Sequence, residues 1–384
     1  MLIRGRLLGD SCASDIDVRD GRIHAIRSAS RRRAHAGSHE AHILPLLFDI
    51  QVNGYDGIDL QSPTLQPEDV ARLNAGLACT GVGYWIPTII TNSQRRMERA
   101  CRVIAEALQD RKLARRIPGI HLEGPYLSPK DGPRGAHARR HVRRPNIREF
   151  DRCLDAAEGR VVYTTIAPEQ PSAIPLIRHA VRQGVVVSLG HHNANADQIA
   201  RATDAGATMV THLGNGIAPT LDRHHNPIWP QLAEDRLTCS LIPDLHHVPA
   251  PMFRAIVNAK GKRRIMLTSD VVHLAGLKPG KHDLAGVPVT LQRDGLVRLT
   301  GTQLLAGSAT PLIQGVFNAM DATGWSLKDS VAAATINPAR VLGTRLSQRT
   351  PRVGALANFL ICTRSAKGRV DIGAVFRDGQ LIPR

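Results

Sequence analysis

Short apolar runs rich in β-branched residues recur through the middle of the chain, each followed by a longer stretch in which apolar and polar residues mix. The runs fall at residues 46–52, 84–90, 117–122, 161–167, 185–189, 208–213, 239–243 and 265–269. Their length and lack of polar alternation suit strands covered on both faces. Intervening segments such as residues 68–80, 97–111, 173–184 and 197–206 have helical length, and several end at a glycine suited to a helix C-terminus. Strand and helix in alternation imply βα units on a parallel sheet, and eight strands close such a sheet. The expected fold class is α/β, a (β/α)8 TIM-like barrel.

The two ends follow another pattern. Leu2-Ile3-Arg4-Gly5 and Asp15-Ile16-Asp17-Val18 are strand-like, and Asp20-Gly21 leads into Ile23-His24-Ala25-Ile26, a hairpin signal. The same style returns after about residue 346, at residues 357–361 and 375–382. The ends are expected to pair into one small β-sandwich domain, residues 1–45 and 346–384, beside a barrel at 46–345. The Arg-, His- and Ser-rich stretch at 28–42 reads as an exposed loop of that domain.

Composition narrows the functional classes. A chain of 384 residues holds one barrel of roughly 250 residues plus an appendage. Aromatic residues make up 3% of it, so stacking platforms for sugars or bases are few and recognition must rest on polar groups. The formal charge of +17 invites a polyanion reading, but the arginine runs are short and scattered and only residues 134–148 are dense. That distribution favours a solvated basic surface, or steering of a small anionic substrate, over nucleic acid. Cysteines at 12, 79, 101, 153, 239 and 362 form no CxxC pair, which argues against structural zinc and a secreted disulfide framework. Arg4 and Arg6 interrupt the first apolar run, and no stretch of ~18 apolar residues follows. A cytoplasmic protein without membrane partners is expected.

Catalytic residues of such barrels sit at the C-terminal ends of the strands. Strand one ends in Gln51-Val52-Asn53, strand three in His121-Leu122-Glu123, and strand five in Gly190-His191-His192. Strand six ends in Thr211-His212, strand seven in Asp244-Leu245-His246-His247, and strand eight in Ser269-Asp270. A single histidine there is usually a core or capping residue; five strands ending in His, Glu or Asp are harder to explain without chemistry. One carboxylate with two imidazoles is an open ligand set for a catalytic divalent ion, zinc above all. Glu123, His191 and His212 are the candidates, and Asp270 is placed to take a proton from the activated water and deliver it to a leaving amine.

At these residues the chain, from about residue 46 onward, resembles the N-acetylglucosamine-6-phosphate deacetylase family of amidohydrolases. The resemblance is carried by HLEGP at 121–125 with Gly135-Ala136-His137, by GHHNA at 190–194 and by THLGNG at 211–216. Asp270, Leu305-Ala306-Gly307-Ser308 and Asn337-Pro338-Ala339-Arg340 add to it. It implies that Glu123, His191 and His212 bind one divalent metal, that Asp270 is the general base and acid, and that His137 polarises the acetyl carbonyl. It also implies that Asn215, Gly216, His247 and Arg223 hold the sugar phosphate, partly across a homodimer.

Gln51 and Asn53 stand where many amidohydrolases carry a His-x-His pair for a second metal. Neutral amides are poor zinc ligands, so a single-metal site is expected, with Gln51 and Asn53 facing the substrate. Two further departures bear on substrate: His224-His225-Asn226-Pro227-Ile228-Trp229 after Arg223, and Leu245 at a position usually held by glycine. They keep open a second substrate, another N-acyl amino sugar or amide, while the charge keeps open a non-catalytic polyanion-binding barrel.

Overall fold

The structure, a computed structural model, describes residues 1–284, 286–344 and 350–383; the expected domain boundary at 345/346 lies outside them. Strands Leu47–Val52, Val82–Ile90, Ile120–Glu123, Val161–Ile166, Val186–Leu189, Ala207–Val210, Thr238–Leu241 and Ile265–Leu267 form one parallel sheet in chain order. Each overlaps one of the eight apolar runs, and the (β/α)8 expectation holds. The runs lack alternation because both faces are covered: all six residues of strand one and eight of the nine in strand two are buried.

Strand eight returns to strand one through a parallel bridge between Val52 and Val271. Beside that seam Asp49 of strand one accepts hydrogen bonds from the Thr268 hydroxyl at 2.8 Å, from the Ser269 backbone N–H at 3.1 Å, and from the Ser269 hydroxyl. The outer helices follow their sequence signals. Helix Ala196–Asp204 begins with a reciprocal pair in which Asn195 and Gln198 each accept the other's backbone N–H at 2.9 Å.

The chain ends build a seven-stranded sheet, joined where Ala36–Leu44 pairs antiparallel with Phe359–Arg364. The Asp20-Gly21 hairpin forms with both residues at positive φ, 48° and 71°. The sheet curls until Ala357 N–H donates to Gly21 O at 2.8 Å and Gly354 N–H to Ile23 O at 2.8 Å. Both layers of the sandwich are therefore cut from one sheet, closed over Ile3, Ile16, Ile43, Phe359 and Phe376.

Two expectations need correction. Residues 28–42 are not all loop: Ala36–Leu44 is an interior strand, parallel to Leu2–Leu7 on one side and antiparallel to Phe359–Arg364 on the other. Residues 38–40 are exposed and fall where the pairing with Leu2–Leu7 shifts register, while His42 and Ile43 are paired on both edges. After strand eight the chain also inserts a four-stranded antiparallel sheet, Gly280–Leu284, Val287–Leu291, Leu296–Leu299 and Leu305–Ser308, that the βα reading did not anticipate. Its core of Val272, Leu284, Val289, Val297 and Ala306 sits beside the strand ends, and a parallel bridge ties Ser308 to Val271.

Candidate active site

The strand ends open into a cavity of about 550 Å³. Asn53, Glu123, His137, His191, His212, Asn215, Gly216, His247 and Asp270 line it; Gln51 lies against Glu123, and Arg223 is exposed outside it.

Three ligand atoms converge at the cavity floor. His212 Nε2 lies 3.1 Å from Glu123 Oε1, His191 Nε2 lies 3.3 Å from the same oxygen, and the two nitrogens are 3.1 Å apart. All three residues are buried, and the potential donor atoms fall within 4.8 Å of one another. His191 Nδ1 sits 3.0 Å from the Pro133 carbonyl, an acceptor only, so Nδ1 carries a proton and Nε2 is the ligand atom turned to the centre. A carboxylate and imidazole lone pairs aimed at one point repel each other unless a cation lies between them. The donor set fits a zinc-type divalent ion, and the fixed outer hydrogen bond of His191 is the usual companion of such ligands.

The amides at the end of strand one hold carboxylates. Gln51 Nε2 donates to Glu123 Oε1 at 2.9 Å, and Asn53 Nδ2 donates to Asp270 Oδ1 at 2.8 Å. Burial, with the nearby Glu123 charge, pushes Asp270 up to about 7 against the opposing pull of His212, His247 and the Asn53 bond. His137 Nε2 lies 3.2 Å from His191 Nε2, at the edge of the same cluster. Burial and the neighbouring His191 lower His137 to about 3, leaving it neutral.

Two loops close over the His191 ring because their contact residues are glycines. A Cβ on Gly216, at φ +59°, would stand 2.6 Å from His191 Nδ1, and one on Gly135, at the same φ, 3.0 Å from Cε1. Sequence reasoning named Gly135 to His137 in the loop over this ring but not what braces it: Arg134 donates to the His137 carbonyl at 2.6 Å and pairs with Asp131 at 2.5 Å. The brace itself showed in the sequence only as arginine density in residues 134–148.

At the other end of the cavity His247 Nδ1 bonds Asp244 Oδ2 at 2.6 Å, which fixes the ring and frees Nε2. Leu245 takes the left-handed conformation at φ +64°, the reason glycine suits that position, and it packs on the barrel core instead of lining the cavity. Arg223 belongs to a turn held by Asp222, which accepts the backbone N–H groups of His224 and His225 at 2.8 and 2.6 Å. Within one chain it does not reach the site.

A closed barrel whose strand ends carry this ligand set defines a class. The amidohydrolase family model matches residues 43–382, and the chain belongs to that family. Among its relatives, an N-acetylgalactosamine-6-phosphate deacetylase of Escherichia coli O157:H7 is 32% identical over 302 residues, 78% of each chain. The human N-acetylglucosamine-6-phosphate deacetylase is 31% identical over 404 aligned residues, covering 99% of this chain and 93% of the relative. The solved N-acetyl-D-glucosamine-6-phosphate deacetylase of Mycobacterium smegmatis superposes with a TM-score of 0.84 at 29% identity, covering 100% of both chains.

Proposed function

We propose that this chain is a cytoplasmic, homodimeric, single-zinc deacetylase that converts N-acetyl-D-glucosamine 6-phosphate to D-glucosamine 6-phosphate and acetate. The observation that carries the reading is the convergence of Glu123, His191 and His212 beside a buried Asp270. A divalent ion held there supplies Lewis acidity to the attacking water and the amide carbonyl. Asp270, poised near neutrality by burial, takes a proton from that water and returns one to the amine nitrogen as the C–N bond breaks. His137 presents its Nε2 proton to the carbonyl oxygen, where negative charge develops. Gln51 and Asn53 hold the Glu123 and Asp270 carboxylates in place instead of ligating a second metal.

The backbone at Asn215 and Gly216 with His247 Nε2 receives the phosphate, and Arg223 of a second subunit completes that end. Its exposure in one chain supports this arrangement. The epimer is a second reading, because relatives named for N-acetylgalactosamine 6-phosphate reach 32% and 30% identity. Acetate release from both 6-phosphates and from the two unphosphorylated sugars, with added zinc and an Asp270→Asn control, tests both. Turnover of one phosphate, abolished in the control, establishes the substrate; equal turnover of the unphosphorylated sugar removes the phosphate end of the proposal.

A further inference from the structure

The mouth of the same cavity carries a second set of cationic side chains, apart from His247. Arg96, in the first turn of helix Gln94–Ala107, lines the cavity together with Arg140 and His141 of the 3-10 turn Arg139–His141. Arg143 fixes that turn against the helix: it donates to Glu149 at 2.6 Å, to Gln94 Oε1 at 2.8 Å and to the Asn92 carbonyl at 3.0 Å. Arg143 is thus neutralised, whereas neither Arg96 nor Arg140 has an acidic partner among the described residues. Arg140 Nε donates to His141 Nε2 at 3.2 Å, so His141 is the neutral acceptor and the rest of the guanidinium is open. Burial, then the charges of Arg140, Arg143 and Arg96, hold His141 below its ordinary value.

Unpaired guanidinium groups on the wall of a concave site attract carboxylates and phosphates, which they bind in a planar, bidentate fashion. The proposed substrate has one anionic group, already assigned to the His247 end. At about 550 Å³ the cavity is well above the ~300 Å³ lower end of small-molecule sites, so there is room beyond one sugar. We propose that Arg96 and Arg140 form an anion subsite for a second carboxylate or phosphate, carried by an N-acetyl amino sugar 6-phosphate at another ring position. The inference rests on the deacetylase reading and extends it to doubly anionic substrates.

The test uses zinc-loaded protein and three sugars: N-acetylglucosamine 6-phosphate, its 1,6-bisphosphate, and a 6-phosphate with an ether-linked carboxylate at O3. The expected result is a higher kcat/KM for at least one doubly anionic sugar. The double variant R96Q/R140Q should reduce that preference about tenfold or more, the scale of a lost charge-assisted bond. Which sugar responds tells phosphate from carboxylate. An equal loss on all three sugars assigns the arginines to the 6-phosphate and overturns the proposal, as does no loss at all. If no sugar turns over or binds, the deacetylase reading has failed on its own, and inorganic phosphate binding by calorimetry becomes the measure. Weaker phosphate binding in R96Q/R140Q then supports an anion subsite, and unchanged binding overturns it.

Discussion

Asp49 ties strand one to the residues after strand eight at the seam of the barrel. It is 1% exposed, and the donors it accepts from, Thr268 and Ser269, are buried on the far side of the closing bridge. Burial pushes its carboxyl up, and the bonds from Ser269, Thr268 and Gln51 only partly offset this. The folded protein therefore holds this proton more tightly than the unfolded chain. Stability from this group is greatest below the unfolded value of 3.8 and declines as pH rises through the higher folded value. When ionised, Asp49 contributes acceptors, while its charge opposes folding.

Asp49→Ala strands the three buried donors of Thr268 and Ser269, each costing at least about 1 kcal/mol, for a loss of roughly 3 kcal/mol. Asp49→Asn keeps one acceptor oxygen and relieves the buried charge, so its loss is about 1 kcal/mol. By calorimetry the alanine variant should melt roughly 5 °C below the parent, with asparagine between the two. Because Ser269 precedes Asp270, alanine should also lower kcat. Melting of Asp49→Ala within a degree of the parent, or an asparagine variant as damaged as the alanine, would refute the argument.

Four further outcomes follow from the geometry. Asn53→Ala removes the donor to Asp270, whose carboxyl then rises above about 7; since the base must be ionised, the acid limb of kcat/KM should move up by about one pH unit. An unmoved limb would show that Asn53 does not tune Asp270. Chelation should abolish activity and lower the melting temperature, and zinc should restore both, since ion at a thousandfold excess over Kd stabilises by about 4 kcal/mol; Glu123→Gln should lose that zinc-dependent shift. Gly216→Ala drives a Cβ into His191 and should weaken zinc binding about tenfold, read by competition with a chromophoric chelator. Burial would raise Asp15, but bonds from Arg4 and Ser30 hold it at about 2, so its contribution is full above 3.8 and lost as pH falls through about 2. Asp15→Asn should flatten that limb of the urea midpoint, and an unchanged limb would clear the pair of any role.

The barrel strands were legible because burial on both faces removes polar residues, and Val82–Ile90 shows this at eight of nine positions. The interior strand Ala36–Leu44 was not, because its place depends on partners at both ends of the chain while its own side chains at 38–40 face solvent. The inserted sheet left a trace in Asp294-Gly295 between Val287–Leu291 and Leu296–Leu299, an antiparallel turn signal lost inside a pattern read for βα units. The residue types of the site could be read from the strand ends. The carbonyl of Pro133 that sets the His191 tautomer could not, since any residue type supplies one and only the fold brings it there. Arg223 is the opposite case, a residue named from resemblance whose role depends on a surface that one chain does not complete.

Backbone conformation gives an independent argument for where the chemistry lies. Nine non-glycine residues among those described have positive φ, and Asp20 and Asp378 belong to Asp-Gly turns where it is expected. His191, His212, Leu245 and Asp270, at φ 52°, 30°, 64° and 51°, follow strands five to eight, and all but Leu245 line the cavity. Each costs of order 1 kcal/mol and persists only where surrounding contacts over-determine it. The contacts are present: Pro133 holds His191, Ser240 Oγ accepts the His212 backbone N–H at 2.8 Å, and Asn53 holds Asp270. A barrel built only for stability would relax these turns with glycine or asparagine. Strain kept at two imidazoles and an acid, and braced by bonds to each, is the pattern of a site whose side chains are held in position ahead of the substrate.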